Sequence, residues 1–321
     1  MTDEPTEKKL RLGISSCLLG QEVRFDGGHK RNSFLNAELA PWADWVPVCP
    51  EVEAGLSTPR PAMRLVRDQG SIRVRERKSG EDHTERMQEF SERRVAQLSE
   101  LELDGYIFKK DSPSCGVYRV SIYNENGMPD KNGRGVFADA LARAFPNLPV
   151  EEEGRLKDPR LRENFIERIY AFQRLRERFR SAWKPRDLIE FHSRQKLQLL
   201  AHSPEAYRSL GRMVAEAHQA DAARFRDEYI DSYMGALSIL ASRGRNANVL
   251  QHFAGHFKQH LKSAVRQELA KLIDEYRRGL VPLVVPITLV NHHIHRLDNQ
   301  YLAAQTFLDP YPRDLMLRNS V

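Results

Sequence analysis

The chain has 321 residues, 40% hydrophobic and 29% charged, which suits a soluble protein with two buried cores. The longest apolar stretch, 279–290, is twice broken by proline, so no membrane-spanning helix is expected; the first residues lack the apolar core of a signal peptide, and the expected location is the cytoplasm. The net charge of +6 is uneven, with 22 basic and 23 acidic side chains over 1–150 against 28 and 21 over 151–321, which suggests chemistry in the first part and an anionic partner for the second.

Residues 11–19 (RLGISSCLL) read as a strand, followed by a Gly/Asp-rich turn over 20–28 and a short helix over 32–39. A second strand, 45–49 (WVPVC), runs into Pro50. Residues 64–76 read as a hairpin about Gln69-Gly70. A charged amphipathic helix covers 81–103, with Met87, Phe90, Val95, Leu98 and Leu101 on its apolar side. Tyr106–Lys109 is a third strand, 137–145 a helix and 148–150 a short strand. Strands separated by helices predict an α/β domain with a mainly parallel sheet over 1–154. A helical connector is expected over 155–186, whose long helix runs from 160 to 183. An all-α domain follows over 187–321, with helices at 188–200, 204–242 and 249–276, a break at 244–248, and a last helical stretch over 289–308.

The three cysteines, an odd number in a reducing compartment, do not suggest a disulfide framework. Cys17 and Cys49 close predicted strands, and Cys115 lies in SPSCG just past a third. Ligands bind beyond the carboxyl ends of parallel strands, so the topology delivers three thiols to one edge of the sheet. Two metal chemistries fit such a set. A structural zinc wants four ligands, which His29 or Asp26 would complete. An iron–sulfur cubane on three thiolates keeps one iron open, as a Lewis-acid site requires.

SSCLLGQEVRFDGG, VPVCPEVEAGLSTPRP and KKDSPSCG, in that order and spacing, resemble the thiouracil desulfidase (TudS) family. EFHSRQKLQLLAHSPEAY and VNHHIHRLDNQYLAAQTFLDPYP resemble the YbgA-type helical domain, and the fusion resembles RudS-type tRNA 4-thiouridine desulfidases. The resemblance implies a 4Fe–4S cluster held by Cys17, Cys49 and Cys115. It also implies a non-redox exchange of C=S for C=O, and either 4-thiouridine in tRNA or free thiouracil as substrate. Ser112 matches the family's catalytic serine; its glutamate falls at Glu51 or Glu53, which an extended segment after Cys49 would point the same way.

Arg60, Lys109 and Lys110 are candidates to hold a uracil carbonyl or a phosphate. A tRNA partner directs attention to Arg243 and Arg245, with Lys258, Lys262 and Arg266 on the next helix, as one phosphate-contacting patch. His252, His256 and His260 are spaced for one helix face; they and His292, His293 and His295 read as polar packing.

Overall fold

A computed structural model describes residues 9–124, 126–180, 183–219 and 221–321. Most of the opening segment, and the parts of the 160–183 and 204–242 stretches at 181, 182 and 220, lie outside them. The chain divides into two compact units, 1–157 and 158–321.

In the first unit, β1 (Leu10–Ser15), β2 (Ala43–Val48), β5 (Gly105–Phe108) and β8 (Val150–Glu152) form a parallel sheet in the order β2-β1-β5-β8. β1 is buried at every position except Arg11, as a central parallel strand covered on both faces must be. The chain leaves β1 for β2 on one side and returns to β5 on the other. The carboxyl ends of β2, β1 and β5 therefore lie side by side at a reversal of strand order, where parallel sheets open a crevice. Gly13 is dictated by packing: a Cβ there would sit 2.1 Å from Cδ2 of Tyr106, whose ring stacks on Phe108.

A second sheet runs in the order β4-β3-β6-β7. Its hairpin of β3 (Met63–Asp68) and β4 (Ser71–Glu76) turns at Gln69 and Gly70, both with positive φ, the twist that tight hairpins require. The antiparallel pair β6 (Val120–Tyr123) and β7 (Pro129–Gly133) escapes sequence reading, because β7 is polar and exposed up to Gly133 and carries no apolar alternation. Helices α1 (Pro50–Glu53), α2 (Thr84–Ser99) and α3 (Val136–Ala144) complete the unit. The expected strand 11–19 stops at Ser15; Cys17 lies in a tight turn, Ser16–Leu19, closed by Gly20 in the left-handed region.

The second unit is helical throughout its regular structure. The residues read as a connector hold α4 (Pro159–Phe179), whose Ala171 and Leu175 share one apolar cluster with Leu188, Leu199, Tyr229 and Leu237. They pack as part of this unit. α5 (Pro185–His202) follows. The expected single helix over 204–242 is two, α6 (Pro204–Ala215) and α7 (Ala222–Ser238), the second capped by Asp221, which accepts the Arg224 amide.

Residues 249–276 likewise form α8 (Arg243–His256) and α9 (Ser263–Arg278). The break expected at 244–248 lies inside the first turns of α8, because Ser242 caps that helix by accepting the Arg245 amide. The true break is 257–262. α10 (Val284–Arg296) tolerates Pro286 in its first turn, where an amide has no helical partner, and α11 (Gln300–Ala303) follows. Leu250, Phe253, Ile273, Val290 and Phe307 centre the second apolar cluster of the unit. Among the described residues, no helix is long and apolar enough to cross a membrane.

Candidate active site

The three cysteines meet at the carboxyl edge of the parallel sheet. Cys17 follows β1, Cys49 follows β2 as the cap of α1, and Cys115 lies in the loop after β5. All three line one cleft of about 410 Å³, within the range of small-molecule sites, together with Ser15, Arg24, Lys30, Glu51, Arg60, Arg77, Lys109 and Ser112. Cys17 and Cys115 are buried and Cys49 half-buried. Cys49 Sγ donates to the Val23 carbonyl at 3.8 Å, and the Ser15 hydroxyl hydrogen-bonds Cys115.

Burial, then the neighbouring Cys49, pushes the Cys17 thiol up to about 11. Burial also raises Cys49, and Cys115 further still. Reactive nucleophilic cysteines show the opposite shift, so these are not poised as free nucleophiles. A cationic metal centre would supply the charge that three thiolates in this place need. Among the described residues, the group of three His, Cys, Asp or Glu ligand atoms within 4.8 Å of one another is Glu76, Glu81 and His83; the three sulfurs do not all lie that close to one another. A tetrahedral zinc with bonds of about 2.3 Å needs sulfurs about 3.8 Å apart, whereas a polynuclear cluster with one thiolate per iron needs them farther apart. Neither candidate fourth ligand lines the cleft. Asp26 pairs with Arg24 and the Gly28 amide, and His29 Nδ1 accepts the Arg31 amide. The donor set fits an iron–sulfur cluster better than zinc.

The segment after Cys49 is helical, not extended, so Glu51 and Glu53, two residues apart, point to different sides. Glu51 lines the cleft. Its Oε2 accepts Arg60 Nε at 2.8 Å and pairs also with Nη2, while its Oε1 accepts the Ser114 hydroxyl at 2.8 Å. Arg60 is itself fixed by the carbonyls of Ser57 and Val23. Glu53 instead reaches back to the Cys49 amide at 2.8 Å, closing the start of α1, and its other oxygen lies 3.1 Å from Arg94 Nε on α2. Glu51 faces the cleft and Glu53 holds the Cys49 turn.

Ser112 Oγ accepts the amides of Ser114 and Cys115 at 3.2 and 3.1 Å, which leaves its own proton free to be donated. The first turn of α3 grips the same loop: the amides of Val136 and Phe137 donate to the carbonyls of Pro113 and Ser114, both at 3.0 Å. Gly135 permits this approach, since a Cβ there would lie 2.5 Å from the Ser114 carbonyl. Lys109 and Lys110 both line the cleft; Lys109 Nζ bonds Glu153 at 2.7 Å, and Lys110 pairs with Asp111 at 3.3 Å. Ser114 and Arg77 were missed from the sequence. The resemblance singles out Ser112 of the two serines in SPSCG and gives no signal for Ser114, and Arg77 reaches the cleft only through the β3–β4 hairpin.

In the helical unit the five candidate RNA contacts do not form one patch. Arg243 and Arg245 open α8, whereas Lys258 and Lys262 lie beyond its other end, about 20 Å away at 1.5 Å per residue. Arg245 donates to the carbonyls of Ala201 and Leu240, and Arg266 is half-buried; Arg243, Lys258 and Lys262 are exposed. α8 ends at His256, so His260 leaves the helical face of His252 and His256.

Residues 12–153 match the family model of 2-thiouracil desulfurase, and residues 196–312 match that of DUF1722, protein of unknown function. The chain is 36% identical over 165 residues to uncharacterized protein YbgA of Escherichia coli (strain K12), covering 50% of this chain and 96% of the relative. It is 34% identical over 146 residues to uncharacterized protein YbbK of Bacillus subtilis (strain 168), covering 44% and 95%. A solved structure titled a [4Fe-4S]-dependent thiouracil desulfidase, TudS, matches with 33% identity and a TM-score of 0.38, over 47% of this chain and 95% of that one. The chain belongs to the 2-thiouracil desulfurase family through its first unit and to the DUF1722, YbgA-type family through its second.

Proposed function

We propose that the first unit is an iron–sulfur-dependent desulfidase that exchanges the thiocarbonyl sulfur of a pyrimidine for oxygen, and that 4-thiouridine in tRNA is its substrate. The observation that carries this reading is the convergence of Cys17, Cys49 and Cys115 on one cleft that also presents Glu51 and Ser112. A 4Fe–4S cluster held by these cysteines would leave one iron without a thiolate and supply Lewis-acid polarisation of the thiocarbonyl. C=S and water give C=O and hydrogen sulfide with no change of oxidation state, so what remains for the protein is proton transfer and orientation.

Glu51 takes the proton from water. Arg60 occupies both acceptor sites of Oε2 and Ser114 one of Oε1, which fixes the carboxylate plane toward the cleft and leaves a lone pair on Oε1 for water. Ser112 keeps its oxygen on two amides and turns its proton outward, as donor to the departing sulfur or the pyrimidine edge. Lys109, anchored by Glu153, places a positive charge at the same cleft. A tRNA substrate is supported by the charge of the second unit, where residues 158–321 carry 26 basic and 18 acidic side chains.

The test is anaerobic purification of the full chain with iron, sulfide and zinc analysis, followed by incubation with tRNA containing 4-thiouridine and, separately, with free thiouracil. Conversion of 4-thiouridine to uridine by an iron-loaded chain is the expected result. Conversion of thiouracil alone would make the free base the substrate. Zinc in place of iron, with neither substrate converted, would leave a zinc-containing nucleic-acid-binding protein.

A further inference from the structure

A second cleft of about 680 Å³ opens in the first unit among β3, β6, β7, α2 and α3. Five cations line it, Arg67, Arg119, Lys131, Arg134 and Arg143, against two acids, Glu92 and Asp139. Asp139 is engaged by Arg143 at 3.1 Å and Arg134 at 3.9 Å. The exposed Arg67, Arg119 and Lys131 have no salt bridge or side-chain hydrogen bond among the described residues. This concentration is local, because residues 1–157 as a whole carry 24 basic and 26 acidic side chains. Its floor includes the apolar Val117, Ile122, Val136 and Ala140 beside the neutral polar Gln88, Ser91 and Asn132.

We propose that this cleft holds an RNA strand, with phosphodiesters on Arg67, Arg119 and Lys131 and a nucleobase against the floor. Cations around a partly apolar floor match a nucleotide, whose anionic and flat apolar parts lie side by side. A lone phosphate would leave the floor uncovered. Arg119 stands four residues from Cys115 in the loop gripped by α3, so their Cα atoms are at most about 14 Å apart. A polynucleotide with one residue in the thiol cleft would therefore run within reach of this second one. The proposal rests on the reading of tRNA as substrate and adds a contact surface in the unit that carries the chemistry.

Full chain is titrated with unmodified tRNA by fluorescence anisotropy over a range of salt, as wild type and as the combined Arg67→Gln, Arg119→Gln, Lys131→Gln variant. With about 0.7–0.9 lost per phosphate contact, the log–log salt slope should flatten by roughly 2–3. Turnover of free thiouracil should not change. The single charge reversal Lys131→Glu should weaken tRNA binding in the same direction, which guards against a misfolded triple variant. If wild type converts thiolated tRNA and the variants bind tRNA as wild type does, the cleft proposal falls alone. If wild type converts thiouracil and neither binds nor converts tRNA, the tRNA reading falls and takes the cleft with it. Displacement of tRNA from the cleft by polyglutamate at equal charge concentration would overturn RNA as occupant and assign an acidic protein.

Discussion

Glu51 in the first unit and Glu167 in the second both pair with a base, yet they stand in opposite surroundings. Glu51 meets Arg60 at the wall of an open cleft beside three thiols, with room for water. Glu167 is sealed in the helical core, its oxygens taken by Gln198 at 2.8 Å and His202 at 3.0 Å. His202 Nδ1 faces the Ile239 carbonyl at 2.6 Å while its Nε2 faces Glu167, so both ring nitrogens must donate and the ring is an imidazolium. Next to this pair, Glu163 accepts Tyr311 at 2.9 Å and pairs with Arg318 at 3.3 Å. Among the fully buried polar atoms of these six side chains, Gln198 Oε1 is the one without a hydrogen-bond partner among the described residues. A carboxylate paired with a base thus stands open to solvent in one unit and fixes helices in the other.

The comparison is broken most severely at the thiols. Replacing Cys17, Cys49 or Cys115 by serine should abolish both iron retention and desulfuration, because a cluster with two thiolates loses its anchorage. Iron analysis and an ultraviolet–visible spectrum of each anaerobic variant check this. A variant with full iron and full turnover would remove that cysteine from the ligand set.

The next effect separates the two glutamates of α1. Glu51→Gln should lower turnover roughly 10²–10⁴-fold, the range for losing a general base, with the iron content unchanged. Ser112→Ala should fall in the same range. Glu53→Ala removes the acceptor of the Cys49 amide and should act on stability, by about 1 kcal/mol as for other helix caps, with turnover near normal. Steady-state rates and thermal melts of the three variants distinguish the roles. Equal loss of turnover at Glu51 and Glu53 would mean that the α1 turn, not one carboxylate, is what the reaction needs.

In the helical unit the same kind of change should be silent in chemistry and costly in folding. His202→Ala leaves Glu167 buried without its charge partner and should destabilise that unit by about 3–5 kcal/mol. Thiouracil turnover should persist wherever the unit remains folded. Hydrogen exchange of the α4 and α5 amides reads the loss directly. A large fall in thiouracil turnover in a folded His202→Ala protein would show that the helical unit takes part in the first unit's chemistry.

Much of this contrast was legible in the chain itself. The strands that carry Cys17, Cys49 and Cys115 announced themselves as short apolar runs ending at a cysteine or just before one, and a parallel sheet then dictates where their carboxyl ends meet. Which glutamate faces the cleft was not legible, because it depends on whether Pro50–Glu53 is extended or helical, and four residues carry too little periodicity to decide. The sealed polar core was invisible for a different reason. Glu167, His202 and Arg318 are far apart in sequence and individually resemble surface residues of charged helices; only packing brings them together. The spread of the basic residues along α8 and past its end was not legible because of helix boundaries, since Gly244 reads as a breaker until Ser242 is seen to cap the helix around it.

The smallest expected effect is a pH dependence of stability confined to the second unit. His202 and its hydrogen bonds hold the Glu167 carboxyl down to about 2, against the force of burial. Glu167, by charge and hydrogen bond, in turn raises the imidazole above its ordinary 6.5 despite burial. A depressed carboxylate contributes stability that is fully present above its unfolded value of 4.5 and is lost as pH falls toward 2. A raised imidazole contributes stability that is fully present below 6.5 and is lost as pH rises through its folded value. Glu163, raised by burial and by Glu167, acts in the second sense, losing its contribution as pH rises through its own folded value. Protection of the α4 and α5 amides should therefore decline as pH rises from 6.5 through the folded value of the imidazole, and decline again as pH falls below 4.5. In the Glu167→Gln, His202→Gln double variant the alkaline decline should flatten, because neither substituted amide titrates. The first unit supplies the internal control: its β1 and β5 amides are buried away from any such pair and should not follow the alkaline decline. A decline of equal size in both units, or one that survives in the double variant, would place the titrating group elsewhere than at His202.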